Sequence, residues 1–473
     1  MDDVLQKIMD GNKNRSAQWF LLCFLISLFS LAVFIRFEYL KHTDVETPIR
    51  GDAYQYYAYG YNLRHFGIFS QNTDLAKPTP DSFRVPGYPL LIATLIFFMG
   101  DTNFYPLILY LQSILSSLLV ILTFFLGLKL LPRWGAMIAS ICVTFSPHLI
   151  SIQSYVLSET LFAFVLLLST MYFYQAVRNQ KIVDHVIAAL MFGVAYLINE
   201  TVLLLPPFLV ATIFLIYRKK LGSEYCQSRL KQFIAFLLVF FLIPFWWLYR
   251  NSQLPDNAPK GSRRAISTLS HGAYPGFVYK DPKYKNYPYL EDPRQPEFSQ
   301  SLNNFSSVLL ERFKQRPLRY FSWYIIEKPY YLWSWDNLQS HKGIVAPKGS
   351  GDVYFYPVKS SLYMTSKLAD LSRQIMKYLH PIILLLALSS IPVMFINSRH
   401  WEIDKFFLNT PIFLLATGIY YTIIYTIFAP WPRYSVPLRP QLFICAVWSA
   451  AYIGKQIWLR VERLNEVRNA KRG

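Results

Sequence analysis

Arg50-Gly51-Asp52-Ala53-Tyr54-Gln55-Tyr56-Tyr57-Ala58-Tyr59 opens the first long polar interruption in an otherwise apolar chain, and Phe83-Arg84-Val85-Pro86-Gly87-Tyr88-Pro89 closes it. An acidic residue in an aromatic setting is followed by an arginine held against a Pro-Gly-x-Pro break. Tyrosine is favoured at the bilayer–water boundary, so the run Tyr54, Tyr56, Tyr57, Tyr59 suits a short helix lying on a membrane. The rest of the chain reads as a membrane scaffold that presents this loop and a second acidic position at Glu159.

Composition supports that frame. Of 473 residues, 53% are hydrophobic, 17% aromatic and only 16% charged, against about 25% charged in a soluble domain. The deficit, with long uncharged runs, places the chain among integral membrane proteins. The net charge of +19 would suggest nucleic acid in a soluble protein. Here the basic residues flank apolar runs, as topology signals do, and no nucleic-acid partner is expected. Cys23, Cys142 and Cys445 lie in apolar runs and Cys226 in a basic loop, so no disulfide framework holds the polar segments.

Outward from the opening stretch, Ser16 to Ile35 is uncharged for about 20 residues, enough to cross the hydrocarbon core. It reads as a retained first helix with a cytoplasmic amino terminus. The apolar core after the loop, Leu90 to Met99, is too short for an ordinary span and suits an interfacial or re-entrant helix. Nine further runs follow: Thr102–Leu128, Trp134–Ser158, Thr160–Val177, His185–Asn199, Thr201–Tyr217, Gln232–Tyr249, Tyr378–Ser398, Phe406–Pro432 and Pro440–Gly454. Alternating from the first helix puts Lys129/Arg133, Arg178/Lys181, Arg218/Lys219/Lys220/Arg229/Lys231, Arg399/Lys405 and the basic tail all inside. Were Leu90–Met99 to span, each of those clusters would move outside. The positive-inside rule therefore favours about ten spans.

The expected fold is an all-α polytopic membrane protein. Its organisation divides into residues 1–249 as a transmembrane catalytic module carrying a first outer loop (42–102), residues 250–377 as an extracytoplasmic segment, and residues 378–473 as C-terminal transmembrane helices and a cytoplasmic tail. In the second segment, Ser301 to Gln315 has an apolar helical period and reads as a surface helix. Glu327 to Trp335 looks like an aromatic belt returning to the bilayer.

Asp52 admits two readings: general base or metal ligand near a low-dielectric boundary, or loop aspartate capping the tyrosine-rich helix. Glu159, in Ser158-Glu159-Thr160-Leu161-Phe162, stands at the mouth of a span on the same side. A carboxylate there is costly unless paired, hydrated or used, though it would also favour the positive end of its helix. Arg84, Arg250, Arg433 and Arg439 lie outside, beside spans, against the positive-inside bias. Either they snorkel to headgroups or they bind a phosphate, which the guanidinium fork suits. The sequence holds no phosphate loop, no Gly-x-Gly-x-x-Gly, no Cys-x-x-Cys and no His-Glu-x-x-His. With no nucleotide motif, any reaction must draw on an already activated substrate. His148, His271 and His341 are isolated, which is weak support for a metal site.

The ordered motifs carry a resemblance. An acidic residue in the first outer loop is followed by Arg-x-Pro-Gly-Tyr-Pro (from Arg84) and by Ser-Glu-x-Leu-Phe (from Ser158). Trp-x-x-Arg-Asn (from Trp247), His-Gly-Ala-Tyr-Pro-Gly (His271 to Gly276), Lys-Pro-x-x-x-Trp (from Lys328) and Arg-Tyr-x-x-Pro-x-x-Pro (from Arg433) come later. This order resembles the GT-C glycosyltransferases, in the branch related to protein O-mannosyltransferases and lipid A aminoarabinose transferases. Many members pair two adjacent acidic residues in the first loop, whereas here Ala53 follows Asp52.

The resemblance implies a sugar donor on a polyprenyl phosphate and inversion at the sugar carbon, with Asp52 as base and Glu159 beside it. It implies Arg84, Arg250 and Arg433 at the donor phosphate, and Tyr54, Tyr57, Tyr88 and Lys328 lining the substrate. A divalent metal ion could bridge Glu159 and the phosphate; no nucleotide cofactor is expected. The acceptor would be a lipid, glycan or protein, and the site would face the periplasmic side of a bacterial inner membrane. The competing reading is a transporter or flippase of lipid-linked sugars, which would more often carry mid-span charges and paired broken helices.

Overall fold

The computed structural model describes residues 15–43, 49, 51–72, 78–221, 223–255, 257–275, 292–335, 361–397 and 409–470. Arg50, Gly276, Lys280, His341 and the pair Arg399/Lys405 lie outside them. The chain is an all-α polytopic membrane protein. Among the described residues, six helices are long and apolar enough to cross a membrane: Gln18–Lys41, Gly87–Leu130, Glu159–Asn179, Arg229–Ser252, Lys367–Ile396 and Pro432–Glu466. Ile182–Ile198, Glu200–Ile216 and Ile412–Ile427 are shorter apolar helices.

In chain order, α1 (Arg15–Lys41) leads to the tyrosine-rich α2 (Asp52–Phe66). The next helix, α3 (Gly87–Leu130), is continuous in hydrogen bonding but bends at Gly100, with φ 81° and ψ 171°. Only glycine adopts that backbone cheaply. The bend sets the short apolar stretch read from the sequence apart from the long run after it. The first part of α3 packs on α2, where Gly60 leaves room for Ile92: a Cβ at Gly60 would overlap that side chain.

The expected run Trp134–Ser158 is not one helix. It comprises α4 (Arg133–Thr144), α5 (Pro147–Ile152) and a non-helical stretch up to Ser158. Pro147 has no N–H to continue α4 and pushes Ser146 into an extended conformation (φ −65°, ψ 109°). The carbonyls freed at the break are taken by buried Arg36 of α1. Its guanidinium donates to Val143 O at 3.2 Å and Thr144 O at 3.3 Å, and its Nε donates to Ser116 Oγ at 2.8 Å.

The chain continues through α6 (Glu159–Asn179), α7 (Ile182–Ile198), α8 (Leu205–Leu221) and α9 (Ser223–Ser252). Beyond α9 come α10 (Gly261–Gly272) and α11 (Leu302–Gln315). Ser301 starts α11 by accepting the Asn304 N–H at 3.1 Å. The bundle closes with α12 (Lys367–Asn397), α13 (Ile412–Ile427) and α14 (Arg439–Ala470). Phe173, Phe192, Phe236 and Phe413 join α6, α7, α9 and α13, with ring centroids 5.1 to 6.2 Å apart. Packing of this kind, rather than exclusion from water, is what associates helices inside a bilayer.

Candidate active site

The N-terminal ends of α2 and α6, the C-terminal ends of α7 and α13, and α10 line a cavity of about 860 Å³. Asp52, Glu159, Arg84 and Arg433 all line it. Their meeting is arranged by backbone chemistry at each position.

Asp52 is the first residue of α2, where a carboxylate favours the positive helix end. Gly67 closes the same helix in the left-handed region (φ 68°), its N–H turned back to the last turn. The chain then returns through residues held by Asp81. Its carboxylate accepts from Tyr59 Oη, from the Gln71 N–H at 2.8 Å and from the Phe83 N–H at 3.1 Å. That anchor places Arg84 opposite Asp52.

Arg84 donates to Asp52 Oδ1 through Nη2 and to Gln55 Oε1 through Nε at 2.9 Å. Its guanidinium carbon sits 4.8 Å from the centre of the Tyr56 ring. Arg433, in the turn Pro432–Leu438 before α14, donates to Asp52 Oδ2 at 2.6 Å and stands with Nε 3.5 Å from Glu159 Oε1. Both Asp52 oxygens are therefore occupied by guanidinium groups, and Arg433 joins the two carboxylates. Tyr56 Oη lies 3.1 Å from Ser158 Oγ, tying α2 to the residue before Glu159. Burial disfavours the Asp52 carboxylate, but the charges of Arg84 and Arg433 outweigh it and hold its carboxyl well below the usual range.

The lining holds a second ion pair, Arg264 of α10 with Glu200, just beyond α7. Burial and the nearby charge of Arg84 push the Arg264 guanidinium down, so an anion brought into the cavity would be welcome there. His271 also lines the cavity, and burial pushes its imidazole down to about 4. It is neutral at physiological pH.

Other expected site residues lie elsewhere. Arg250 donates to Asp81 O at 2.5 Å and lies over the Trp247 ring, bracing the loop rather than lining the cavity. Lys328 is fully buried. Its Nζ donates to Thr426 O at 2.7 Å and Phe428 O at 2.9 Å, capping the C-terminal end of α13. Tyr88 is buried against Gln112, Tyr57 stacks on Phe104 and Tyr54 is exposed; none is in the lining. Arg439 is buried with Nη1 2.9 Å from His380 Nδ1. Glu200 could have been found by the argument that found Glu159, since it too precedes an apolar run. Asp81 and Arg264 lie in polar stretches that offer no such signal.

Asp52 and Glu159 are the carboxylates that a divalent ion beside the donor phosphate would use, and it would compete with Arg433 for them. Among the described residues no three His, Cys, Asp or Glu side chains gather as a ligand group. A guanidinium already stands between Asp52 and Glu159, supplying the positive charge that an ion would bring.

Residues 82–248 match the family model described as dolichyl-phosphate-mannose-protein mannosyltransferase. No curated protein matches the sequence. Among solved structures, the oligosaccharyltransferase of Archaeoglobus fulgidus tethered with an acceptor peptide is 13% identical, over 93% of this chain and 50% of that one, with a TM-score of 0.51. The same organism's AglB, in complex with an inhibitory peptide and a dolichol-phosphate, is 12% identical over 95% and 52%, with a TM-score of 0.50. ArnT from Cupriavidus metallidurans bound to undecaprenyl phosphate is 11% identical over 90% and 59%, with a TM-score of 0.47. The chain spans about half the length of the solved structures it matches. It resembles the GT-C glycosyltransferases, in sequence over residues 82–248 and, through the oligosaccharyltransferase, in fold.

Proposed function

We propose that this chain is a membrane glycosyltransferase that moves a sugar from a polyprenyl-phosphate donor to an acceptor hydroxyl, with its site on the extracytoplasmic face of a bacterial inner membrane. The observation that supports it is the meeting of Asp52, Glu159, Arg84 and Arg433 in one cavity at the ends of apolar helices. Solved structures of similar fold include one holding a dolichol-phosphate, in keeping with such a donor.

The chemistry assigns each group a task. The acceptor oxygen attacks the sugar carbon from the face opposite the phosphate, so the product is inverted. The carbon–oxygen bond to phosphate breaks, and its electron pair leaves with the polyprenyl phosphate. The acceptor's proton passes to Asp52. Arg84 and Arg433, with Arg264 in the same cavity, stabilise the charge that grows on the departing phosphate. Glu159 keeps Arg433 oriented.

An aspartate with both oxygens on guanidinium groups holds a proton poorly. Donor binding therefore precedes proton transfer: the phosphate draws an arginine away from Asp52, and the carboxylate becomes a stronger base. Purified protein in lipid should release polyprenyl phosphate from a lipid-linked sugar and pass the sugar on. Movement of the lipid across the bilayer without its consumption would instead establish a flippase.

A further inference from the structure

We infer that Gln112, in the long apolar run of α3, is a positioning residue for the transfer: it fixes the segments that carry Arg84 and Glu159 at one separation. The inference rests on the glycosyltransferase reading above. Gln112 is fully buried. Its Oε1 accepts from Tyr88 Oη at 2.8 Å, and its Nε2 donates to Gln153 O at 2.9 Å and Tyr155 O at 2.7 Å. Both amide hydrogens are thus spent on the non-helical stretch before Glu159. The carbonyl oxygen is spent on Tyr88 in the first helical turn of α3, shortly after Arg84.

The two segments meet again nearer the cavity. The ring of Tyr88 packs edge-on against Tyr56 at 5.0 Å, and Tyr56 Oη reaches Ser158 Oγ. The same face of α3 continues the support: Ser113 Oγ donates to Gln153 Oε1, and Ser116 Oγ donates to Leu149 O at 3.1 Å. An unwound backbone inside a bilayer must have its polar groups satisfied by the protein. Gln112 satisfies two of them and ties them to the segment that follows Arg84. Tyr88, expected at the substrate, belongs to this support.

Reacting groups displaced by about 1 Å can lose about a hundredfold in rate. Gln112→Leu keeps the volume and removes all three hydrogen bonds; Tyr88→Phe removes one and leaves the packing. With purified protein, we expect kcat to fall about a hundredfold in Gln112→Leu and about tenfold in Tyr88→Phe. KM for the lipid-linked donor should stay within about threefold, since no donor-facing group is lost. The double variant should be no slower than Gln112→Leu alone, because both changes cut the same link. Tyr88→Phe guards against misfolding of Gln112→Leu.

A wild-type kcat in Tyr88→Phe, or effects that multiply in the double variant, would overturn the inference. If wild-type protein transfers no sugar, the functional reading fails by itself. The positioning claim is then decided by a cryo-EM structure of Tyr88→Phe. The claim expects the Arg84 and Glu159 segments to separate, and unchanged positions would overturn it.

Discussion

Arg433→Ala is the most informative single change, because one guanidinium holds two carboxylates. In the wild type its Nη2 is 2.6 Å from Asp52 and its Nε is 3.5 Å from Glu159. Opposite charges about 4 Å apart attract by roughly 4 kcal/mol at an effective dielectric of about 20. The Asp52 side chain is 26% exposed and keeps Arg84, so the loss of stability should be about 2 kcal/mol rather than the roughly 3–5 kcal/mol of a fully buried broken pair.

The pH dependence carries the sign. In the wild type the Asp52 carboxyl is held below its unfolded value, so its contribution is complete above about pH 4 and is lost only as pH falls further. Between pH 7.5 and 5 it should be flat. In Arg433→Ala, Asp52 faces the Glu159 charge with one cation fewer, and its proton affinity rises. The melting temperature of the variant, taken relative to wild type, should then be higher at pH 5 than at pH 7.5. Its kcat/KM for donor should fall by about one to two decades, the worth of a charge-assisted contact. Thermal melts at both pH values and a polyprenyl-phosphate release assay read these out. Wild-type melting at both pH values with wild-type turnover would refute the reasoning.

Three further outcomes are expected. Lys328→Met should lower thermal stability by about 1–3 kcal/mol, from carbonyls of α13 left uncapped, while kcat and donor KM stay at wild-type values; a selective loss of donor use would return Lys328 to the substrate. Glu200→Gln relieves Arg264 of its carboxylate and should tighten polyprenyl-phosphate binding by up to about fivefold, the worth of a partly exposed pair; weaker binding would remove Arg264 from the anion site. Cysteine introduced at Lys280 should react with an impermeant thiol reagent from outside and cysteine at Lys220 should not; the reverse pattern would overturn the proposed sidedness.

Much of the architecture was legible because length and hydropathy are local properties. The bend at Gly100 falls where the short apolar core ends. The break in Trp134–Ser158 was written in Ser146-Pro147 but was hidden by the apolar residues on either side. Glu159, Arg84 and Arg433 were readable because a charge beside an apolar run requires a reason, and Asp52 because it is an acidic residue in an aromatic setting of the first outer loop. What each partner is was not readable. Lys328 and Arg250 satisfy backbone carbonyls of segments about a hundred residues or more away in sequence, and Tyr88 spends its hydroxyl on a glutamine in mid-bundle. Such pairings depend on which helix lies beside which, and no spacing rule encodes them.

The central claim is that Asp52 takes the acceptor's proton. Asp52→Asn keeps size and polarity but cannot accept it. General base catalysis is worth about two to four decades, so turnover of a lipid-linked sugar by the variant, at saturating donor and acceptor, should fall by that amount while polyprenyl phosphate still binds. Turnover within a few-fold of wild type would contradict the account and leave Glu159 as the remaining carboxylate beside Arg433.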